Sequence, residues 1–203
     1  MENRFFWWLR GLRYLRHPAL VRGLGELKTE WEQLEAIRDA YKGLRVRINR
    51  DAHFQGWAKE RLILEQGVAI EQGSMLCWGG EGGKYGTIEI GENTWIGPYN
   101  NIRLAGSGSI KIGRKCLVSQ FCSFISHNHG ISRSSPVQDQ TLDDTKSTIT
   151  VGDDVWFGAG CAVMPGVVIG TGAIIGAGSV VTQSIPAYEI WAGSPARKIG
   201  ERT

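Results

Sequence analysis

Two histidines one residue apart, His127 and His129 in FISHNHG, are the side chains of this sequence best suited to moving a proton. A neutral imidazole accepts a proton near pH 7, which suits general-base work on a hydroxyl. On extended chain, residues two apart point to the same side, so both rings would face one region. The competing reading is a pair of loop histidines held in a hydrogen-bonded turn. A polar stretch, 130–148, follows at once and carries Asp139, Asp143 and Asp144. A loop of that length on a rigid scaffold reads as a wall around a substrate. Asn100 and Asn101 are a second polar pair, the first read as structural and the second as a candidate contact to a hydroxylated acceptor. His53 stands far from these residues in sequence, and it reads as structural or surface. The Gly-rich run CWGGEGGKYGT lacks the ending and the following helix that would make it a phosphate loop.

What positions the histidines is a six-residue period. The leading positions are Leu64, Ile70, Leu76, Ile90, Ile96, Ile102, Ile112, Val118, Phe124, Val151, Phe157, Val163, Ile169, Ile175 and Val181, and all are apolar. The second position is usually Gly, as at Gly91, Gly97, Gly113, Gly152, Gly158, Gly170 and Gly176. The fifth is small or medium. No single helix or strand repeats every six residues. A chain that turns a corner after each short flat does, with one large side chain pointing inward each time. Three flats close a turn, and turns stack at roughly 4.8 Å, the spacing of paired strands. No hexad buries itself, so stacking must supply the core. The expected organisation is a helical segment and lead-in over 1–63, the coil over 64–187 with its loop at 130–148, and a tail over 188–203.

Composition narrows the function classes. The chain has 203 residues and a formal net charge of +3, too small a charge to imply nucleic acid. Three of the four Cys residues, Cys116, Cys122 and Cys161, fall at fifth positions, where Cys acts as a small hydrophobe. That usage fits a reducing compartment rather than a disulfide framework. No CxxC or CxxH spacing suggests zinc, and no metal is expected. The run FFWWL is too short to span a bilayer. Residues 1–22 nevertheless mix Arg4, Arg10, Arg13, Arg16 and Arg22 with Phe5, Phe6, Trp7, Trp8 and Tyr14. Such a segment either lies on an anionic membrane or packs on protein as a cap. Together these features predict a cytoplasmic protein, placed at the membrane surface only if that segment docks there rather than caps the fold. A helix is expected from about Leu24 to Lys42, with Leu27, Trp31, Leu34, Ile37 and Tyr41 on one stripe, Pro18 breaking or restarting it, and Gly43 as its stop.

FISHNHG, the polar loop, and then ITVGDDVWFGAGCAVMPGVVIGTGAIIGAGSVVTQSIPAYEIWAGSPARKIG resemble the hexapeptide-repeat acyltransferases, and within them the sugar and polysaccharide O-acetyltransferases. The resemblance covers roughly 88–200. It implies an all-β, left-handed parallel β-helix with N-terminal α-helices and a protruding loop, assembled as a homotrimer with the active site between subunits. It implies transfer of acetyl from acetyl-CoA directly to a hydroxyl of a sugar or glycan. His129 aligns best with the family's base, and His127 is the second choice. Trp156, from VWFGAG, would flank the pantetheine arm. Gly158 or Ala159 would offer a backbone N–H to the thioester carbonyl. Ala177 and Gly178 would leave room for the arm, and Arg197 and Lys198 would approach the coenzyme phosphates. Gln183 stands where such proteins often carry Lys, which removes one phosphate contact. The rivals are a non-enzymatic membrane-docked scaffold and a γ-type carbonic anhydrase, which needs three metal-binding histidines.

Overall fold

The leading residues stack in three columns. Ile48, Ile70, Ile96, Val118, Phe157, Ile175 and Trp191 pair in register down the first face. Phe54, Leu76, Ile102, Phe124, Val163 and Val181 do so down the second. Leu64, Ile90, Ile112, Val151 and Ile169 form the third, with a bridge to Ile185. Every pairing in the three columns is parallel, and the faces contain eight, six and five strands, the first counting a closing C-terminal strand. The computed structural model thus shows a parallel β-solenoid whose core is the stack of leaders. It describes residues 18–79 and 86–203, in two compact units, 1–39 and 40–203.

The solenoid starts a full turn earlier than the period suggested. Arg47–Ile48, His53–Gln55 and Leu62–Leu64 already pair with the next turn. The step from Phe54 to Leu64 is not six, because a short 3-10 helix, Lys59–Arg61, intervenes and hides the repeat. All the breaks share one corner. The steps from the first face to the second, and from the third to the first, stay at six residues through the coil. The long steps, Phe54 to Leu64, Leu76 to Ile90, Ile102 to Ile112 and Phe124 to Val151, all run from the second face to the third. The strand Met75–Gly79 also takes up the start of the Gly-rich excursion.

The fifth positions close the corners from inside. Asn100 is buried; its Nδ2 donates to the Gly97 carbonyl at 2.7 Å, and its Oδ1 accepts the Cys122 N–H at 2.7 Å. Thr94 has the same role at a neighbouring corner, donating to Gly113 O at 2.7 Å and accepting from Cys116 N at 3.0 Å. Asn100→Leu keeps the volume but orphans the buried Cys122 N–H, while the Gly97 carbonyl still accepts from Ser74 Oγ at 2.8 Å. We expect a loss of about 1–3 kcal/mol for the orphaned N–H, read as a lower urea midpoint at unchanged slope.

The N-terminal unit is described from Pro18. Its helix, Pro18–Ala40, begins before the expected Leu24 and has Pro as its first described residue, a position that tolerates the missing N–H. Leu34 and Ile37 are buried, whereas Leu27 and Trp31 are exposed, so only some of the predicted stripe is covered. Gly43 follows in the turn with φ of +97°. No described helix is long and apolar enough to cross a membrane. The basic aromatic segment lies outside the described residues up to 17.

Candidate functional site

The two histidines stand where the fourth turn leaves the second face. Strand Ser123–Ile125 is held between Asn101–Ala105 and Ala162–Val163. His127 follows and is half-buried, while His129 is exposed on the second rung of an antiparallel ribbon. That ribbon pairs Asn128 with Asp143 and His129 with Leu142. The polar loop is therefore an ordered arm. Gln140 cross-braces it, donating to Ser132 O at 2.9 Å and Ser135 O at 2.8 Å while accepting from Ser132 N. Asp143 caps the return, accepting from Thr145 N at 3.0 Å and Thr145 Oγ1 at 2.6 Å; those bonds hold its carboxyl below the usual range. His53 lies on the same face three strands away. That is about 14 Å at strand spacing, too far to join His127 and His129 around one metal ion.

The corner between the first and second faces forms a ledge. Its left-handed position is Gly73, Tyr99, Phe121, Gly160 and Gly178 in successive turns. Tyr99 lies over Gly73, where an added Cβ would meet the ring at 2.3 Å. Phe121 stacks on Tyr99 with centroids 5.4 Å apart. Above Phe121 the rings stop: Gly160 and Gly178 are exposed, and a Cβ at Gly178 would meet nothing within 4 Å. Ala159 and Ala177 border this opening, and Trp156 leads into it, 49% exposed between Leu117 and Ile174. Non-glycine left-handed residues such as Tyr99 and Phe121 store strain, so the aromatics at this corner are a feature the period alone did not reveal.

The geometry separates the sequence candidates. The Gly158 N–H already donates to Ile175 O at 2.8 Å within the parallel ladder, which removes it as an oxyanion donor. The Gly178 N–H likewise donates to Ala159 O at 2.8 Å. Ala159, one residue past the ladder, remains the candidate donor. At the C-terminal end the expected tail is a hairpin, Glu189–Gly193 with Ala196–Glu201. Lys198 is clamped there by two carboxylates, 2.7 Å from Glu189 and 2.6 Å from Glu201. Its hydrogen bond to Glu189, then that to Glu201, hold its ammonium above the usual range, so its charge is already met. Arg197 faces Ala192, the residue beside Gly176, and forms no ion pair among the described residues. Trp156, Ala159, Ala177, Gly178 and Arg197 therefore follow one line, and Lys198 belongs to a separate clamp.

No thiol is placed for nucleophilic work. All four cysteines are free and buried. Burial pushes Cys116 up, and a hydrogen bond shared with Cys122, added to burial, pushes Cys161 far up. Arg103 and Asn101 lie on the outer side of the second face, paired with Ile125 and Ser123 on the strand that leads to the histidines. Sequence reasoning passed over Arg103, although its two-residue offset from Asn101 on a strand placed both on one side.

Residues 148–183 match the family model described as bacterial transferase hexapeptide (six repeats). A dTDP-4-amino-4,6-dideoxy-D-glucose acyltransferase of Escherichia coli is 32% identical over 175 residues, 84% of this chain and 86% of that protein. An Escherichia coli K12 protein with the provisional name lipopolysaccharide biosynthesis O-acetyl transferase WbbJ is 34% identical over 122 residues, 56% of this chain. That match spans 60% of its length, under two thirds. Among solved structures, a single-site mutant of the Bacillus cereus N-acyltransferase AntD, in complex with dTDP-4-amino-4,6-dideoxyglucose and coenzyme A, superposes with a TM-score of 0.65 at 22% identity, over 78% of this chain and 81% of that one.

Proposed function

Because the chain belongs to the hexapeptide-repeat acyltransferase family, we propose that it is an acetyl-CoA-dependent O-acetyltransferase acting on a hydroxyl of a sugar or glycan. The observation that carries this reading is the line from Trp156 past Ala159, Ala177 and Gly178 to Arg197, an open ledge with a backbone donor in it and a cation at its end. An extended pantetheine arm fits small exposed corners, and the Arg197 guanidinium suits a phosphate. The Ala159 N–H would stabilise the oxyanion.

In the proposed step His129 accepts the proton of the acceptor hydroxyl as its oxygen bonds to the thioester carbonyl carbon. The C–S bond then breaks, and the proton passes from the imidazole to the departing sulfur. The products are an acetyl ester and a free thiol. His127, half-buried at the root of the ribbon, would orient the base or the acceptor. The buried thiols support direct transfer, since none is accessible to form an acyl-enzyme.

The ledge and the histidines lie at opposite edges of the second face. Ala159 sits beside Gln120, whose carbonyl accepts the Gly160 N–H at 2.9 Å. The flat between that corner and His127, residues 122–126, spans about 13 Å at the rise of a strand. A base and an oxyanion donor must each come within about 3 Å of the reacting groups. That separation supports a homotrimer in which the base of one subunit meets the ledge of its neighbour. Within the same reading, residues 1–22 would hold the protein at an anionic membrane face, where a lipid-linked glycan is presented.

Arg197→Gln and Trp156→Ala test the ledge. Each should raise the Michaelis constant for acetyl-CoA about tenfold while leaving acceptor affinity in place. Thiol release dependent on added sugar gives the rate, and calorimetry with coenzyme A gives the binding. An intact protein that binds no coenzyme A would sink the transferase and leave the scaffold reading.

A further inference from the structure

Arg103 is a cation of the solenoid with a buried guanidinium nitrogen that the described residues leave without a partner. It sits on the outer side of the second face, half-buried, flanked by Cys77 on one side and Ile125 on the other. Neither neighbour supplies a negative charge, and the Cys77 thiol already donates to Gln55. The Arg103 Nε is buried without a hydrogen-bond partner, and the guanidinium enters no ion pair among the described residues. Arg114 and Arg202, by contrast, pair with Asp153 and Asp154 at 2.9 and 2.8 Å. Leaving a desolvated guanidinium N–H unpaired is costly, and charges that are drawn out of water are as a rule paired.

A second polar atom beside it is in the same condition. The Oδ1 of Asn101 is buried and accepts no hydrogen bond. Asn101 and Arg103 are two apart on one strand, so their side chains leave the same side of the sheet. The register sets them opposite Ser123 and Ile125, and the Ser126 N–H extends the ladder by donating to Arg103 O at 3.1 Å. His127, two residues beyond Ile125, is therefore a diagonal neighbour of Arg103, about 7–8 Å away between backbones. A cation, an acceptor oxygen and an imidazole lie together, and two of the three are without the partners that burial demands.

We propose that Arg103 and Asn101 form an acceptor subsite for an anionic sugar, with Arg103 taking a carboxylate or phosphate of the acceptor and Asn101 Oδ1 taking a hydroxyl. This rests on the transferase reading, and it names the acceptor class that the reading leaves open. Guanidinium and carboxylate or phosphate match in a planar two-bond geometry that a neutral sugar cannot offer. The anion fixes the ring, and the hydroxyl to be acetylated is presented toward the histidines. Arg103 acts here as a specificity determinant and is not involved in the proton transfer.

The test is equilibrium binding to the intact protein of three probes: glucuronate, glucose 1-phosphate and methyl glucoside. Coenzyme A binding is measured alongside. The wild type should bind at least one anionic probe about 10- to 100-fold more tightly than methyl glucoside, and the tighter of the two anions identifies the charged group as carboxylate or phosphate. Arg103→Gln should remove the preference, and Arg103→Lys should keep some of it, because a point charge replaces a fork. Equal binding of all three probes by the wild type overturns the proposal, and means that a carboxylate from 80–85 or from a second copy already meets the charge. A preference that survives Arg103→Gln overturns it too. If Arg103→Gln also loses coenzyme A binding, the fold has failed in that variant, and the wild-type preference together with the Arg103→Lys result decides. Loss of coenzyme A binding by the wild type with the anion preference intact would sink the transferase reading alone.

Discussion

His129→Ala should lower turnover by about 10²–10⁴-fold, the usual cost of losing a general base. The side chain is exposed on the ribbon and outside the stack of leaders, so the protein should still fold and bind coenzyme A. The rate effect should fall on kcat rather than on the Michaelis constant for the donor. If His129→Ala keeps near-wild-type turnover while His127→Ala abolishes it, the base is His127. The separation of base and ledge adds a second readout. Gly178→Trp fills the open corner, so it should block donor binding while leaving its own histidines in place. Co-refolding it with His129→Ala should restore activity that neither variant has alone, since some pairs of neighbours then combine an intact base with an intact ledge. Absence of restoration would place both halves of the site within one chain.

Phe157→Ala should cost about 3–5 kcal/mol, the range for emptying a buried aromatic site. Phe157 is fully buried, and its ring meets Phe124 edge-on with centroids 5.1 Å apart. The pair comes from adjacent turns and different faces, so the deletion leaves a hole that one turn cannot close by itself. Urea denaturation should show the loss as a lower midpoint. A measured loss below about 1 kcal/mol would mean that the interior relaxes around the site. The cavity lies directly under the corner that carries Ala159. A rise in the Michaelis constant for the donor at permissive temperature would show that this corner is held in place from within.

The solenoid was legible because its rule is local: one apolar leader every six residues, wherever the step stays at six. It failed first at Phe54, where the step to Leu64 is broken and the opening turn looked like lead-in. The structural role of Asn100 was readable from its inward position alone. The split between Gly158 and Ala159 was not, because it depends on which N–H meets a carbonyl of the next turn. The clamp on Lys198 was not legible for a similar reason. Its partner Glu189 comes within 2.7 Å only because the chain reverses between Gly193 and Ala196. Arg103 carries no motif. That its charge goes unmet is a property of its neighbours on other turns.

The placement of every break at one corner has a consequence for how such a molecule can change. Pairing resumes in register after each excursion, whatever its length, so an added or deleted residue there leaves the other two corners and all three columns undisturbed. The same residue added between Val118 and Phe124 would turn every later side chain of that flat inside out. One edge can therefore be rewritten freely, and it is the edge that bears the histidine ribbon. Exchanging 130–148 for a foreign loop should change which acceptors are taken while the melting behaviour of the stack stays nearly as it was. In descent, recognition and stability can then drift separately, with new acceptors tried on a scaffold that scarcely registers the substitution.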